Sequence, residues 1–244
     1  IPIGEIRFGI YGNEDPMYIL AGLPFIAPDY ASAWLLKEVK HAYLQEKFNK
    51  KGLRILYTSP WPGQGFYTKF PVNKVSDFKG KKLRIYSTAT QQMGSMLGFN
   101  ATILPFAEIP QAFSTGLIEA LFTSPQTGID IQAWDNTKHF TYAGAIFSKN
   151  AVIVTNKAFN ALSKADQSHV LAAADRAELR GWEMSAATTR KQIGILEKNG
   201  MKSKNAPDEV ISKMKEIGQA MMKDWRKKAS PEANAVLDRY LSMR

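Results

Sequence analysis

Residues 78–124 read FKGKKLRIYSTATQQMGSMLGFNATILPFAEIPQAFSTGLIEALFTS. Three short apolar runs, 83–86, 101–104 and 118–122, predict strands. The segments 90–97 and 107–115 between them predict helices. Strands alternating with short helices indicate a parallel sheet. Gly98 and Gly116 stand where each helix should stop, as C-cap glycines do. Arg84 is a lone cation inside the first strand, with Leu83 and Ile85 on either side. A guanidinium at that place is costly to bury unless it meets an anion. Arginine is also suited to grip a carboxylate through two parallel hydrogen bonds.

Upstream, residues 1–12 are apolar and glycine-spaced, with Glu5 and Arg7 as their only charges. They predict a strand running into a loop at a sheet's carboxyl end, where open α/β sheets bind ligands. Asp29 opens a helix that continues to about Asn49, with Gly52 as its stop. Trp34, Leu35, Val39, Tyr43 and Leu44 form its expected apolar face. Residues 53–57 predict a strand that enters a turn-rich loop over 59–65. Pro60 and Pro62 stiffen that loop around Trp61, which is either tucked on the surface or presented to a ligand. Residues 66–70 predict a further strand. Downstream, 151–155 predict a strand, and Ser163 with Asp166 makes a capping-box-like helix start. No proline follows until Asn199-Gly200. That predicts one helix of about 35 residues, ~50 Å long, too long for either half of a divided domain. Val210, Met214, Ile217, Met221 and Trp225 recur at spacings of three and four, the pattern of another helix. A last helix is expected over 231–243. Trp134 and His139 read as structural.

The strand GKKLRIYS, the helix after it and GFNATILPFAEIPQAFSTGLIEALFTS resemble the solute-binding proteins of TRAP transporters, the DctP-type family. The LPF at residues 23–25 and NAVIVTNKAFNAL at 150–162 fit the same pattern. The resemblance runs from about Gly4 to Trp225. It implies an α/β, two-lobed, periplasmic-binding-protein-like fold, with helix 163–199 lying across both lobes. Lobe I would comprise 1–60 and 150–185, and lobe II 61–149 and 186–206. Helices in 207–244 would pack on the lobes, and the chain would cross between them near 59–64 and 147–151. The resemblance implies a periplasmic protein, expected to be a monomer, that captures a small organic acid between its lobes. It would deliver that acid to TRAP membrane subunits; no cofactor is expected and no residue is assigned to a metal.

The family's arginine falls on Arg84. Trp61 lies at a crossing and is expected to face the ligand. Gln64 stands where some members carry a second arginine, so the sequence departs there from the sialic-acid-binding pattern. Thr123 and Ser124 fall where many members place a ligand-contacting asparagine. Tyr86 and Glu5 complete the expected ligand-binding set. The opening strand and helix of one lobe are missing from the resemblance. One sheet is therefore expected to be short of strands, and the chain less stable than a complete one.

The 244 residues are 45% apolar, enough for a sizeable core. A net charge of +10 reads either as a lysine-rich solvated surface or as attraction for anions. The lysines are scattered, and no nucleic-acid motif appears. The absence of cysteine excludes disulfides, thiolate metal sites and cysteine nucleophiles. His41, His139 and His169 lack metal-ligand spacing. No G-x-S-x-G elbow, P-loop or dinucleotide fingerprint is present. Three functions stand in order: a solute-binding protein, an enzyme on a related two-lobed scaffold, and a basic nucleic-acid-binding module. The enzyme reading needs a base near Arg84, and only Glu5 or Glu108 offers one. Phe66 and Tyr67, with Trp61 and Tyr86, suit a ligand with an apolar or aromatic body, and a small keto or hydroxy acid is also compatible.

Overall fold

The computed structural model describes residues 1–244. In chain order it contains β1 (Ile3–Arg7), α1 (Tyr30–Lys50), β2 (Leu53–Pro60), β3 (Gly65–Thr68), β4 (Lys82–Ile85), α2 (Thr88–Met96), β5 (Asn100–Ile103), α3 (Ile109–Ser114) and β6 (Ala120–Thr123). There follow α4 (Pro125–Asp130), β7 (His139–Tyr142), β8 (Lys149–Thr155), α5 (Asn156–Asn160), α6 (Lys164–Lys198), β9 (Lys202–Asn205), α7 (Asp208–Lys228) and α8 (Pro231–Met243). Short 3-10 turns fill much of the path from β1 to α1.

The architecture is α/β and two-lobed, with one sheet in each lobe. The first sheet is antiparallel, in the order β1-β8-β2. The second runs β5-β4-β6-β3-β7-β9. Residues 82–123 form one half of it, where β4 pairs parallel with both the edge strand β5 and β6. The connecting helices behave as their sequence demands. Ser87 caps α2 by accepting from the Thr90 N–H at 3.2 Å. Gly98 and Gly116 adopt φ of 94° and 70°, a left-handed conformation open to glycine at little cost. The sheet is mixed as a whole, because β3 runs antiparallel between β6 and β7.

The expected helix over 163–199 forms without a break as α6. Ser163 accepts from the Asp166 N–H at 3.1 Å to start it. The helix touches both lobes. Near its middle, Glu178 accepts from the Thr58 N–H (2.7 Å) and hydroxyl (2.6 Å) on β2. The Tyr30 hydroxyl donates to the Ser185 carbonyl at 2.8 Å. Further along, Gln192 donates to Gln126 of α4 at 2.9 Å. Leu196 packs with Phe140 and Met201 in the cluster on one face of the larger sheet. The other large apolar cluster extends from α1 to the buried face of α7, where Val210, Met214, Ile217, Met221 and Trp225 all lie. No helix is long and apolar enough to cross a membrane.

Four expectations need correction. β2 extends to Pro60, so the loop that follows it is shorter than 59–65. β3 occupies 65–68 and not 66–70. The strands β7 and β9 were not read from sequence. Finally, the inner face of α1 is rotated from the one expected. Ala33, Leu36, Leu44 and Phe48 are buried, together with Lys37 and Lys40. Trp34, Leu35, Val39 and Tyr43 are only half-buried.

Candidate functional site

The chain crosses from β2 to β3 through Trp61–Gln64 and returns into β8 after Phe147. The two crossings are tied together at Ser148. Its carbonyl accepts from the Trp61 N–H at 2.9 Å, and its hydroxyl accepts from Gln64 Nε2 at 2.9 Å. Gly63 permits the close fit, because a Cβ there would lie 2.4 Å from the Tyr142 hydroxyl and 3.0 Å from the Phe147 ring. Beside this junction lies a cavity of about 310 Å³. By volume that is space for on the order of ten waters.

Arg84, Trp61, Gln64, Tyr86, Thr123 and Ser124 line this one cavity. β4 delivers Arg84, the carboxyl end of β6 delivers Thr123, and Ser124 starts α4. Glu5 is not among the lining residues. It is exposed, and its Oε1 accepts from Asn150 Nδ2 at 2.8 Å. The wall is completed by residues the sequence did not single out as site candidates, among them Arg7, Phe106, Ser148, Asn150 and Asp130.

Arg84 is only 2% exposed. Its Nε and Nη2 both donate to the Leu104 carbonyl, at 3.1 and 3.0 Å. It forms no ion pair with any carboxylate. Burial, with Arg7 adding repulsion, pulls its pKa from 12.5 down to about 10. The group therefore remains charged at neutral pH and lacks an anion. Arg7 is a second guanidinium lining the same cavity, contributed by the other lobe. Its Cζ lies 5.5 Å from the centroid of the Tyr86 ring. Burial lowers its pKa also. The sequence reading found no second charged clamp at Gln64; the structure supplies a second cation from β1.

Gln64 and Tyr86 support the wall more than they offer it free groups. The Tyr86 hydroxyl donates to Gln64 Oε1 at 2.6 Å. Burial pushes Tyr86 up to about 12, so its proton stays in place to make that bond. With Nε2 held by Ser148, the Gln64 amide is engaged at both ends. The Ser124 hydroxyl is also engaged: it donates to Thr127 Oγ1 at 3.1 Å and accepts from the Thr127 N–H at 3.2 Å. The Thr123 hydroxyl and the Trp61 indole N–H have no protein partner, which leaves them free for a bound molecule.

Behind Tyr86 a small cavity of about 40 Å³ has Lys37, Lys40, His41 and Lys149 among its lining residues. Lys37 pairs with Glu178 at 2.6 Å. Lys149 donates weakly to the Ala33 carbonyl at 3.4 Å. Burial pulls both Lys40 and Lys149 down to about 7, each assisted by a neighbouring ammonium. Part of the positive charge that reads as surface in the sequence is therefore inside.

The family model for bacterial extracellular solute-binding protein, family 7 (DctP), matches residues 3–228. Among solved structures, the chain is similar to DctP7 of Bordetella pertussis, an extracytoplasmic solute receptor binding pyroglutamic acid. Identity is 38%, over 98% of this chain and 80% of that one, with a TM-score of 0.96. It is also similar to a marine metagenome TRAP solute-binding protein specific for pyroglutamate. Here identity is 32%, over 99% of this chain and 79% of that one, with a TM-score of 0.93. A curated but uncharacterized protein of Haemophilus influenzae is 22% identical over 95% of this chain and 74% of its own length. These are receptors and not enzymes where their role is known, and they work outside the cytoplasmic membrane. The match over residues 3–228, the two lobes and the bridging α6 together establish that the chain belongs to the DctP family, the periplasmic solute-binding proteins of TRAP transporters.

Proposed function

We propose that the 310 Å³ cavity captures a small cyclic organic acid of the pyroglutamate kind and that the protein hands it to TRAP membrane subunits. One observation carries this reading: a buried guanidinium, Arg84, faces the cavity with a carbonyl partner and no counter-anion. The ligand's carboxylate is the anion it lacks, held by the nitrogens not committed to Leu104. Trp61 packs on the ligand body, and the free Thr123 hydroxyl offers a further hydrogen bond. Tyr86, Gln64 and Ser124 hold the wall in place. The solved receptors at 38% and 32% identity support the choice of acid.

In this reading lobe I comprises residues 1–60 and 150–185, and lobe II 61–149 and 186–206. Residues 207–244 pack across them, and the protein acts as a monomer. Closure of the lobes brings the β1–β8 side of the cavity onto a ligand already held by Arg84. Mass spectrometry of the small molecule released from freshly purified protein is the direct test, followed by calorimetric titration. L-pyroglutamate should bind, and its uncharged carboxamide should bind at least tenfold more weakly. Equal binding of acid and amide would refute the carboxylate assignment. Light scattering at working concentration tests the monomer.

A further inference from the structure

Arg7 and Asn150 stand opposite each other where β1 pairs with β8. Both line the cavity that holds Arg84, from the other lobe. No protein acceptor takes a hydrogen bond from the Arg7 side chain, and its Nε is buried without a partner. Asn150 Oδ1 is also buried without a partner. The orientation of the Asn150 amide is set by chemistry, because its other end donates to Glu5 Oε1 at 2.8 Å and a carboxylate only accepts. The Arg7 and Asn150 side chains do not bond to each other. The wall therefore carries one unused donor and one unused acceptor side by side. A buried polar atom left so is costly, and two adjacent orphans of opposite sense at a binding cavity point to a ligand that satisfies both.

Few small groups present an acceptor and a donor on one edge. An ordinary secondary amide is trans, with its C=O and N–H pointing in opposite directions. A small-ring lactam is forced to be cis, so both groups lie on the same edge. We infer that Arg7 and Asn150 form a lactam-reading pair, in which Arg7 donates to the ring carbonyl and Asn150 Oδ1 accepts from the ring N–H. The inference rests on the carboxylate reading of Arg84 and adds to it the half of the ligand that Arg84 does not touch. The ligand then spans the cleft: its carboxylate is held by the larger sheet and its lactam edge by the smaller one. Tyr86 positions Arg7 through ring contact. The ligand's carboxylate on Arg84 also offsets the repulsion between the two guanidiniums.

The test uses three carboxylates of similar size: L-pyroglutamate, N-methyl-L-pyroglutamate, which lacks the N–H, and cyclopentanecarboxylate, which lacks the lactam. Calorimetry on the unmodified protein should show pyroglutamate binding at least tenfold tighter than either analogue, the scale of a hydrogen bond to a charged or buried group. Arg7→Met, which has no donor, should reduce the preference over cyclopentanecarboxylate to within about threefold, while cyclopentanecarboxylate itself binds nearly as before. Asn150→Leu should do the same to the preference over the N-methyl compound. Arg7→Lys, which keeps a donor, should recover part of the loss. Arg84→Lys should weaken all three ligands by a similar factor. If Arg84→Lys weakens all three but Arg7→Met and Asn150→Leu keep the full preference, the lactam pair is wrong and the carboxylate reading stands. If Arg84→Lys binds normally, the carboxylate reading itself fails. Should the Arg7 and Asn150 variants fail to fold, the ligand series on the unmodified protein decides: equal affinity for all three overturns the inference.

Discussion

Replacing Arg84 with methionine should make the empty protein more stable while it abolishes binding. The guanidinium is 2% exposed and has no counter-ion. Its pKa falls from 12.5 to about 10, chiefly through burial and secondly through Arg7. At about 1.4 kcal/mol per pH unit, that fall corresponds to about 3 kcal/mol held against the charged form. The two hydrogen bonds to the Leu104 carbonyl recover part of the cost, and they are lost with the side chain. Methionine fills similar volume with no charge, and exchanges of buried charges for apolar groups are often neutral or stabilising. A net gain of about 1–2 kcal/mol is expected, which raises Tm by about 2–8 °C for a chain of this size. Saturating L-pyroglutamate should raise the Tm of the unmodified protein and leave that of Arg84→Met unchanged. Arg84→Lys keeps the charge but loses the planar fork, and should bind at least tenfold more weakly, about 1.4 kcal/mol. Differential scanning calorimetry with and without ligand reads both effects. A lower Tm for ligand-free Arg84→Met would show that Arg84 is a structural cation already satisfied by the protein, and the argument from its missing anion would collapse.

Trp61→Ala should weaken binding by about 1–3 kcal/mol, the scale of a buried aromatic contact, and remove the fluorescence change on ligand addition; an unaltered Kd would make Trp61 a structural residue. Glu178→Ala strips partners from the Thr58 N–H and hydroxyl and from Lys37, so urea unfolding should show a loss of about 3 kcal/mol, and a loss below about 0.5 kcal/mol would mean that α6 is pinned by apolar packing alone. Lys40 and Lys149 titrate near 7 in the folded protein against 10.5 for an ordinary lysine. Between those values the unfolded chain binds protons that the folded chain does not, so stability should rise with pH from about 7 to 10.5, by at most about 1.4 kcal/mol per pH unit for each lysine. Below about pH 7 their contribution levels off, and Lys40→Met should reduce the slope and raise Tm at pH 7; a flat profile in the unmodified protein would place both ammonium groups in contact with solvent.

Much of the fold was legible because its signals are local. The glycines at 98 and 116, the Ser163 cap and the proline-free run behind α6 act through backbone conformation within a few residues of themselves. Arg84 stood out for the same reason: a single cation between Leu83 and Ile85 contradicts its own strand, and such a conflict between local pattern and chemistry marks a functional place. The short strands β7 and β9 carried no such mark. HFTY and KSKN are four residues each, too short for a period of two to show, and they become strands because β3 and β7 present open edges to them.

The site divides along the same line. The residues around one crossing and one βαβ unit, Trp61, Arg84, Tyr86 and Thr123, could be grouped from the sequence. Glu5 is grouped with them because its strand is expected at the cleft; Glu5 and Arg7 share one face of β1, but only Arg7, at the strand's end, lines the cavity, while Glu5 is exposed and accepts from Asn150. Only the tertiary structure decides this. Arg7 meets Asn150 through the pairing of β1 with β8, and meets Arg84 across the space between two sheets. Lys37 and Lys40 look like ordinary surface lysines until the packing of α1 turns them inward beside Lys149. Sequence alone determined the elements, their caps and the one cation that needs an anion, because those follow from short-range sterics and from the cost of burying charge. The orphaned donor and acceptor and the buried lysines were decided by long-range pairing, because whether a polar group is satisfied depends on which distant atoms the fold brings within hydrogen-bond reach.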